Sequence, residues 1–143
     1  MSEFIIAKWI VAFVAIYGYG GLLFDAVLPA TARQHLWNPN WPPHAKMHNG
    51  QTMLLGILNG TLTLILLFGL PPTTLPLFFA AAALAAFYWV ALLCAAFFPG
   101  TAWCDPEFLQ QTSQPLGLHP QQLISCMLLA LLVVASGLAL AAK

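Results

Sequence analysis

The sequence predicts an all-α integral membrane protein, a four-helix bundle with two long loops on the same side of the membrane. The first observation is composition, because 61% of the 143 residues are hydrophobic and only 6% are charged. Such a chain has too little polar surface to cover a soluble domain. The second is spacing, because the chain holds four apolar stretches of the roughly 20 residues that a helix needs to cross a bilayer.

These stretches predict helices over about 4–28, 43–70, 75–98 and 120–142 and leave no room for a separate soluble domain. We therefore expect a single transmembrane domain over 1–143, a multi-pass protein whose first partner is the lipid bilayer. Glu3 precedes Lys8, so the first stretch lacks the basic start of a cleaved signal peptide and is expected to be a mature helix. The turn at 69–76 is short and rich in proline, which predicts a tight antiparallel helix pair.

Alternation of four spans places the gaps at 29–43 and 99–120 on one side of the membrane. That side or its boundary then holds all four histidines and three of the four acids: His35, His44, His48, His119, Asp25, Asp105 and Glu107. The opposite side receives the termini and the proline-rich turn. A purely structural bundle gives no reason for so uneven a distribution, so the asymmetry predicts a functional face.

Charge and cysteine content exclude several classes of protein. The net charge is zero and no basic run occurs, which argues against a nucleic-acid partner. The three cysteines are far apart and form no CxxC motif, which argues against a thiol-disulfide oxidoreductase.

The sharpest local signal is the segment WPPHAKMHNGQ at 41–51. The two prolines suit the entry of a helix, and His44 and His48 then lie four residues apart on one helical face. Gln51 and Asn59 continue a polar line into the second span. In lipid such groups face the bundle interior or a water-filled cavity, so the line predicts either a polar cleft or interhelical hydrogen bonds.

Asp25 is the second candidate, near the end of the first predicted helix. Gly18 and Gly21 share its face, so a neighbouring helix can approach closely there. The carboxyl group is expected to pair with a histidine or lysine or to serve as a general acid or base; alternatively, it lies solvated at the interface. Tyr17, two turns earlier, could line the same cavity or simply pack.

A metal site is a further hypothesis. Two histidines at i and i+4 can hold zinc or iron, and His35, His119 or an acid would have to complete the ligand set around His44 and His48. The HExxH pattern of metalloproteases is absent. A single divalent metal and metal-free acid–base chemistry stay equally open.

The second long gap offers two carboxylates. Asp105 or Thr101 is expected to cap a short helix that contains Pro106. Alternatively, Asp105 or Glu107 would lie over the cluster of histidines on that side as a ligand or an orienting partner.

The segment HLWNPNWPPHAKMH at 35–48, with PGT at 99–101 and DPE at 105–107, resembles a family of small four-helix membrane proteins of unknown function. This resemblance implies the fold and no nameable reaction. The four-span plan is also similar, more loosely, to DoxX-like proteins and to the sterol-isomerase/sigma-2 receptor group, and that similarity covers architecture only.

We expect a membrane-embedded enzyme that acts on an apolar or amphipathic small molecule at an interfacial His/Asp pocket. Its catalytic residues would be His44, His48 and Asp25, and its substrate-binding residues Gln51, Asn59, Trp41 and Tyr17. The alternative is a non-catalytic accessory subunit of a membrane complex that binds a lipid or a quinone in the same cleft. The apolar outer faces suit lipid or a homo-oligomer equally well.

Overall fold

The computed structural model describes residues 2–70 and 72–142 and is built from helices within them. Four long helices are apolar enough to cross a membrane: α1 (Glu3–Val27), α3 (Pro43–Gly69), α4 (Leu75–Ala95) and α5 (Pro120–Ala141). A short helix, α2 (Pro29–Ala32), follows α1, and the loop after α4 holds 3₁₀ turns at Pro106–Phe108 and Pro115–Gly117. The predicted all-α, four-span fold is confirmed.

The four spans form a closed ring in which α1 and α4 each pack against both α3 and α5. The core between them is rich in alanine, with Ala7, Ala81 and Ala135 completely buried. Phe78 and Trp89 are buried in the same core. Small side chains let membrane helices approach closely, which compensates for the weak hydrophobic drive inside lipid. Large apolar side chains such as Phe87 and Val133 point outward instead, as expected for a surface that contacts lipid.

Prolines and hydroxyl side chains set the ends of the spans. Pro43 and Pro120 lie in the first turns of α3 and α5, where a missing N–H costs no intrahelical bond. Thr74 caps α4 by accepting the Leu77 N–H at 3.4 Å.

The helix expected over 75–98 is three residues too long, because α4 ends at Ala95. Pro99 disfavours helical geometry at the residue before it, and Gly100 takes a positive φ of 77°. The Thr101 hydroxyl donates to the Ala95 and Phe98 carbonyls at 3.1 and 2.8 Å, which stabilises this early end.

The last turn of α1, Leu23–Val27, is π-helical. Such widened turns often occur at functional sites, because the extra residue per turn redirects a side chain. Asp25 is the buried residue of this turn, with only 8% of its surface exposed.

The two long loops lie on the same side of the bundle, as predicted, and they bind each other. The Asn38 and Asn40 side-chain amides donate to the two Glu107 carboxylate oxygens at 2.9 and 2.7 Å. The Trp41 indole donates to Asp105 Oδ2 at 2.9 Å. Asp105 precedes the turn Pro106–Phe108, but its side chain makes no capping bond, so the expected cap is wrong for this residue. The carboxylate contacts Trp41 across the loops instead.

Candidate functional site

A carboxylate–imidazole pair lies where α1 meets the first long loop. His35 Nδ1 is 3.6 Å from Asp25 Oδ1, and both side chains are mostly shielded from solvent. The backbone holds the two residues together, since the Leu36 N–H donates to the Asp25 carbonyl at 3.3 Å. The structure therefore joins the predicted catalytic acid to a histidine that the sequence suggested only as a metal ligand.

Hydrogen bonding fixes which nitrogen of His35 carries the proton. Nδ1 lies 2.9 Å from the Thr31 carbonyl oxygen, which can only accept, so Nδ1 is the protonated nitrogen. Nε2 of the neutral ring is then an acceptor, and the Gln121 side-chain amide lies 3.4 Å from it. The proton-accepting nitrogen thus points away from Asp25 and toward the start of α5.

Side chains from the same loop and from two further helices surround the pair. Asn49 of α3 donates through Nδ2 to Asp25 Oδ2 at 3.1 Å. Trp41 meets the His35 ring edge-on, with ring centroids 5.9 Å apart. The Tyr88 hydroxyl of α4 lies beside Gly21, one turn before Asp25. The site is therefore shared by α1, α3, α4, α5 and the first loop.

One atom in this site has no partner. Asn49 Oδ1 is buried and accepts no hydrogen bond from the part of the chain that the structure describes. An amide oxygen without a donor is costly when it is buried, and such an atom often marks the position of a ligand or a water.

His44 and His48 form a separate pair on the exposed face of α3. Their Nε2 atoms are 3.1 Å apart, and His48 Nδ1 is 3.1 Å from Gln51 Oε1. Because Gln51 Oε1 must accept, the neutral arrangement has His44 donating to His48. These three residues are brought together as the sequence predicted, but on a side of the helix away from Asp25.

The remaining predicted residues lie elsewhere in the bundle. Tyr17 packs on Trp89 at a centroid distance of 5.9 Å, and Asn59 offers its main-chain carbonyl to the Thr63 hydroxyl at 2.8 Å. His119 precedes α5, with Nε2 3.4 Å from the Gln114 amide. His44, His48 and Gln51 are exposed, so the polar line begins on the outer face of α3.

The four histidines are not gathered into one ligand set. Within residues 2–70 and 72–142, no group of three or more His, Cys, Asp or Glu side chains is close enough to share a metal ion. Asp105 and Glu107 accept hydrogen bonds from Trp41, Asn38 and Asn40 rather than from a histidine. His44 and His48 would offer a metal two nitrogen ligands from the protein.

Sequence reasoning missed Asn49, Gln121 and Tyr88. Asn49 lies inside the segment at 41–51, which stands out in the sequence for His44 and His48. Its side chain lies on the side of α3 that faces Asp25. Gln121 follows Pro120 at the start of a span, where a polar residue is unremarkable. Only the packing of four helices brings these side chains to Asp25 and His35.

Comparisons with known proteins give a family and no activity. Neither curated proteins nor solved structures match the chain, so the looser similarity to DoxX-like and sigma-2 receptor proteins gains no support. The model of DUF6640, a family of unknown function, matches residues 10–142, which is nearly the whole chain. The protein therefore belongs to this family of unknown function, as its central motif predicted.

Proposed function

We propose that the protein is a membrane-embedded enzyme that performs acid–base chemistry on an apolar or amphipathic small molecule at the Asp25–His35 pair. The observation that carries this proposal is the 3.6 Å contact between a buried carboxylate and an imidazole with a defined tautomer. Ionisable groups inside membrane spans are costly, and function is the usual reason that they are retained.

In this mechanism His35 Nε2 accepts a proton from the substrate. The imidazolium that results keeps its Nδ1–H bond to the Thr31 carbonyl, and the negative charge of Asp25 stabilises it. General acid–base catalysis of this kind contributes about 10²- to 10⁴-fold to a rate. Asp25 holds and stabilises the ring, and His35 moves the proton.

Asn49 and Trp41 are the proposed substrate contacts. The unpartnered Asn49 Oδ1 would accept a hydrogen bond from a hydroxyl or amine of the substrate. The Trp41 ring, edge-on to His35, would cover the apolar part next to the reacting group. A molecule dissolved in the bilayer can present its polar end at this depth, because the pair lies where α1 ends.

His44 and His48 keep a place in the proposal as a second acid–base pair. Both are exposed and hydrogen-bonded to each other, so they can exchange protons with water. A double variant of these two histidines separates their contribution from that of His35.

The test uses purified protein in lipid nanodiscs incubated with a total lipid extract, with consumed compounds identified by mass spectrometry. His35→Asn retains a donor for the Thr31 carbonyl and removes the proton-accepting nitrogen. We expect His35→Asn and Asp25→Asn to slow the consumption by about 100-fold or more. A His44→Asn/His48→Asn double variant measures the second pair.

His119→Asn is the matched control, because it removes a histidine on the same side of the bundle that contacts Gln114. Thermal unfolding in detergent shows whether each variant still folds. The proposal fails if the wild type consumes nothing, or if folded His35→Asn protein works as fast as the wild type.

The alternative is a lipid- or quinone-binding accessory subunit, and one observation favours it. The bonds around Asp25 and His35 connect α1, α3, α5 and the first loop, so they could serve only to hold the bundle together. In that case Asp25→Asn lowers the unfolding temperature, and the purified wild type retains a lipid or quinone without converting it. A homo-oligomer fits either function.

A further inference from the structure

A groove on the loop side of the protein carries two opposite charges. It offers about 460 Å³, and its walls include Arg33, Trp37, Pro39, Glu107 and Phe108. This volume falls in the range of pockets that hold small molecules. The groove is formed by the two long loops and is separate from the Asp25–His35 pair.

The Glu107 carboxylate is held in a fixed position in this groove. Its two oxygens accept the Asn38 and Asn40 amides at 2.9 and 2.7 Å, and Asn38 is completely buried. Among the residues that the structure describes, no cation lies within ion-pair distance of Glu107 and no acid within that distance of Arg33. The groove thus presents one oriented negative charge and one positive charge, neither of them neutralised by the protein.

Trp37 places the groove at the depth of lipid headgroups. Its indole Nε1 donates to the Ala26 carbonyl at 2.8 Å, in the last turn of the first span, while 64% of the side chain stays exposed. Tryptophan in this position is typical of the boundary between hydrocarbon and water. A ligand in the groove therefore has its polar part at the membrane surface and its chains free to enter the bilayer.

We propose that this groove binds a phospholipid with a zwitterionic headgroup. The Arg33 guanidinium would bind the phosphate, for which its planar donors are well suited. The ammonium group would lie between the Glu107 carboxylate and the face of Trp37, since cations bind to carboxylates and aromatic rings together. A purely anionic headgroup would satisfy Arg33 and leave Glu107 without a cation. This site does not depend on the proposed acid–base chemistry.

The test is native mass spectrometry of the detergent-purified protein titrated with phosphatidylcholine or phosphatidylglycerol of identical acyl chains. We expect the wild type to bind phosphatidylcholine about tenfold more tightly, which is the size of one charge-assisted contact. Arg33→Gln should weaken the binding of both lipids. Glu107→Gln keeps an acceptor for an asparagine amide and should remove the preference or reverse it toward phosphatidylglycerol.

Lys46→Gln is the matched control, because it removes one positive charge on the same side of the membrane but outside the groove. It should leave the preference unchanged. Equal wild-type affinities for the two lipids would overturn the proposal, and so would a preference that survives both Arg33→Gln and Glu107→Gln in folded protein. The consumption assay for the Asp25–His35 pair is independent of either result.

Discussion

Gly56→Ala is expected to separate the two helices that carry Asp25 and Asn49. Gly56 of α3 faces the backbone of α1, and a Cβ at this position would lie 2.5 Å from the Gly18 carbonyl oxygen. Ordinary contacts begin at 3.4 Å, so the helices would have to move apart by about 0.9 Å, the difference between these distances. A backbone carbonyl in a helix cannot rotate away as a flexible side chain does.

Overpacking of this kind costs about 1–3 kcal/mol. Since Asn49 lies two turns before Gly56 on the same helix, a shift of this size also lengthens its 3.1 Å bond to Asp25. We therefore expect Gly56→Ala to lower both the free energy of unfolding and any activity that depends on the Asp25–His35 pair. Equilibrium unfolding in mixed detergent micelles measures the first effect.

Gly50→Ala is the control, because it lies on the same helix and a Cβ there meets nothing within 4 Å. Alanine is the better helix former by about 1 kcal/mol, so this variant should be neutral or slightly more stable than the wild type. If Gly56→Ala and Gly50→Ala change the free energy of unfolding equally, the close approach of α1 and α3 is not what holds this part of the bundle.

Three further predictions concern the loops, a helix cap and metal binding. Trp41→Phe should destabilise the protein by about 1 kcal/mol through loss of the bond to Asp105, and a double-mutant cycle with Asp105→Asn should show that the two effects are not additive. Thr74→Ala should cost about 1 kcal/mol at the start of α4, measured by unfolding, whereas Thr52→Ala, inside α3, should cost less. His44 and His48 supply two ligands where a structural zinc site has four, so elemental analysis should find well below one zinc per chain. A near-stoichiometric zinc content that His48→Asn removes would contradict this last expectation.

The spans were predictable because lipid imposes a simple requirement. A helix must satisfy its own backbone bonds and carry apolar side chains over about 30 Å, and both show directly in the sequence. The common side of the two long loops followed from alternation, and the bonds from Glu107 and Asp105 to the first loop confirm it. The face of Gly18 and Gly21 was likewise visible as a place for close approach, and Gly56 and Met53 occupy it.

The site was predictable only in part. Asp25 stood out because an acid near the end of a span is unusual, and the pairing of His44 with His48 follows from a spacing of four residues on a helix. Whether that pair faces the bundle or the outside depends on how α3 is rotated against its neighbours, and a weakly amphipathic helix does not reveal this rotation. The direction of His35 depends on a loop, whose course follows from long-range contacts.

The sequence by itself determined that this chain has four helices long and apolar enough to cross a membrane, with its two long loops on one side. Both properties depend on local composition and on alternation of spans. Only the tertiary structure decided that Asp25 meets His35 rather than His44 or His48, and that Asn49, Gln121 and Tyr88 surround them. The physical reason is that a π-helical turn and the rotation of packed helices set where each side chain points.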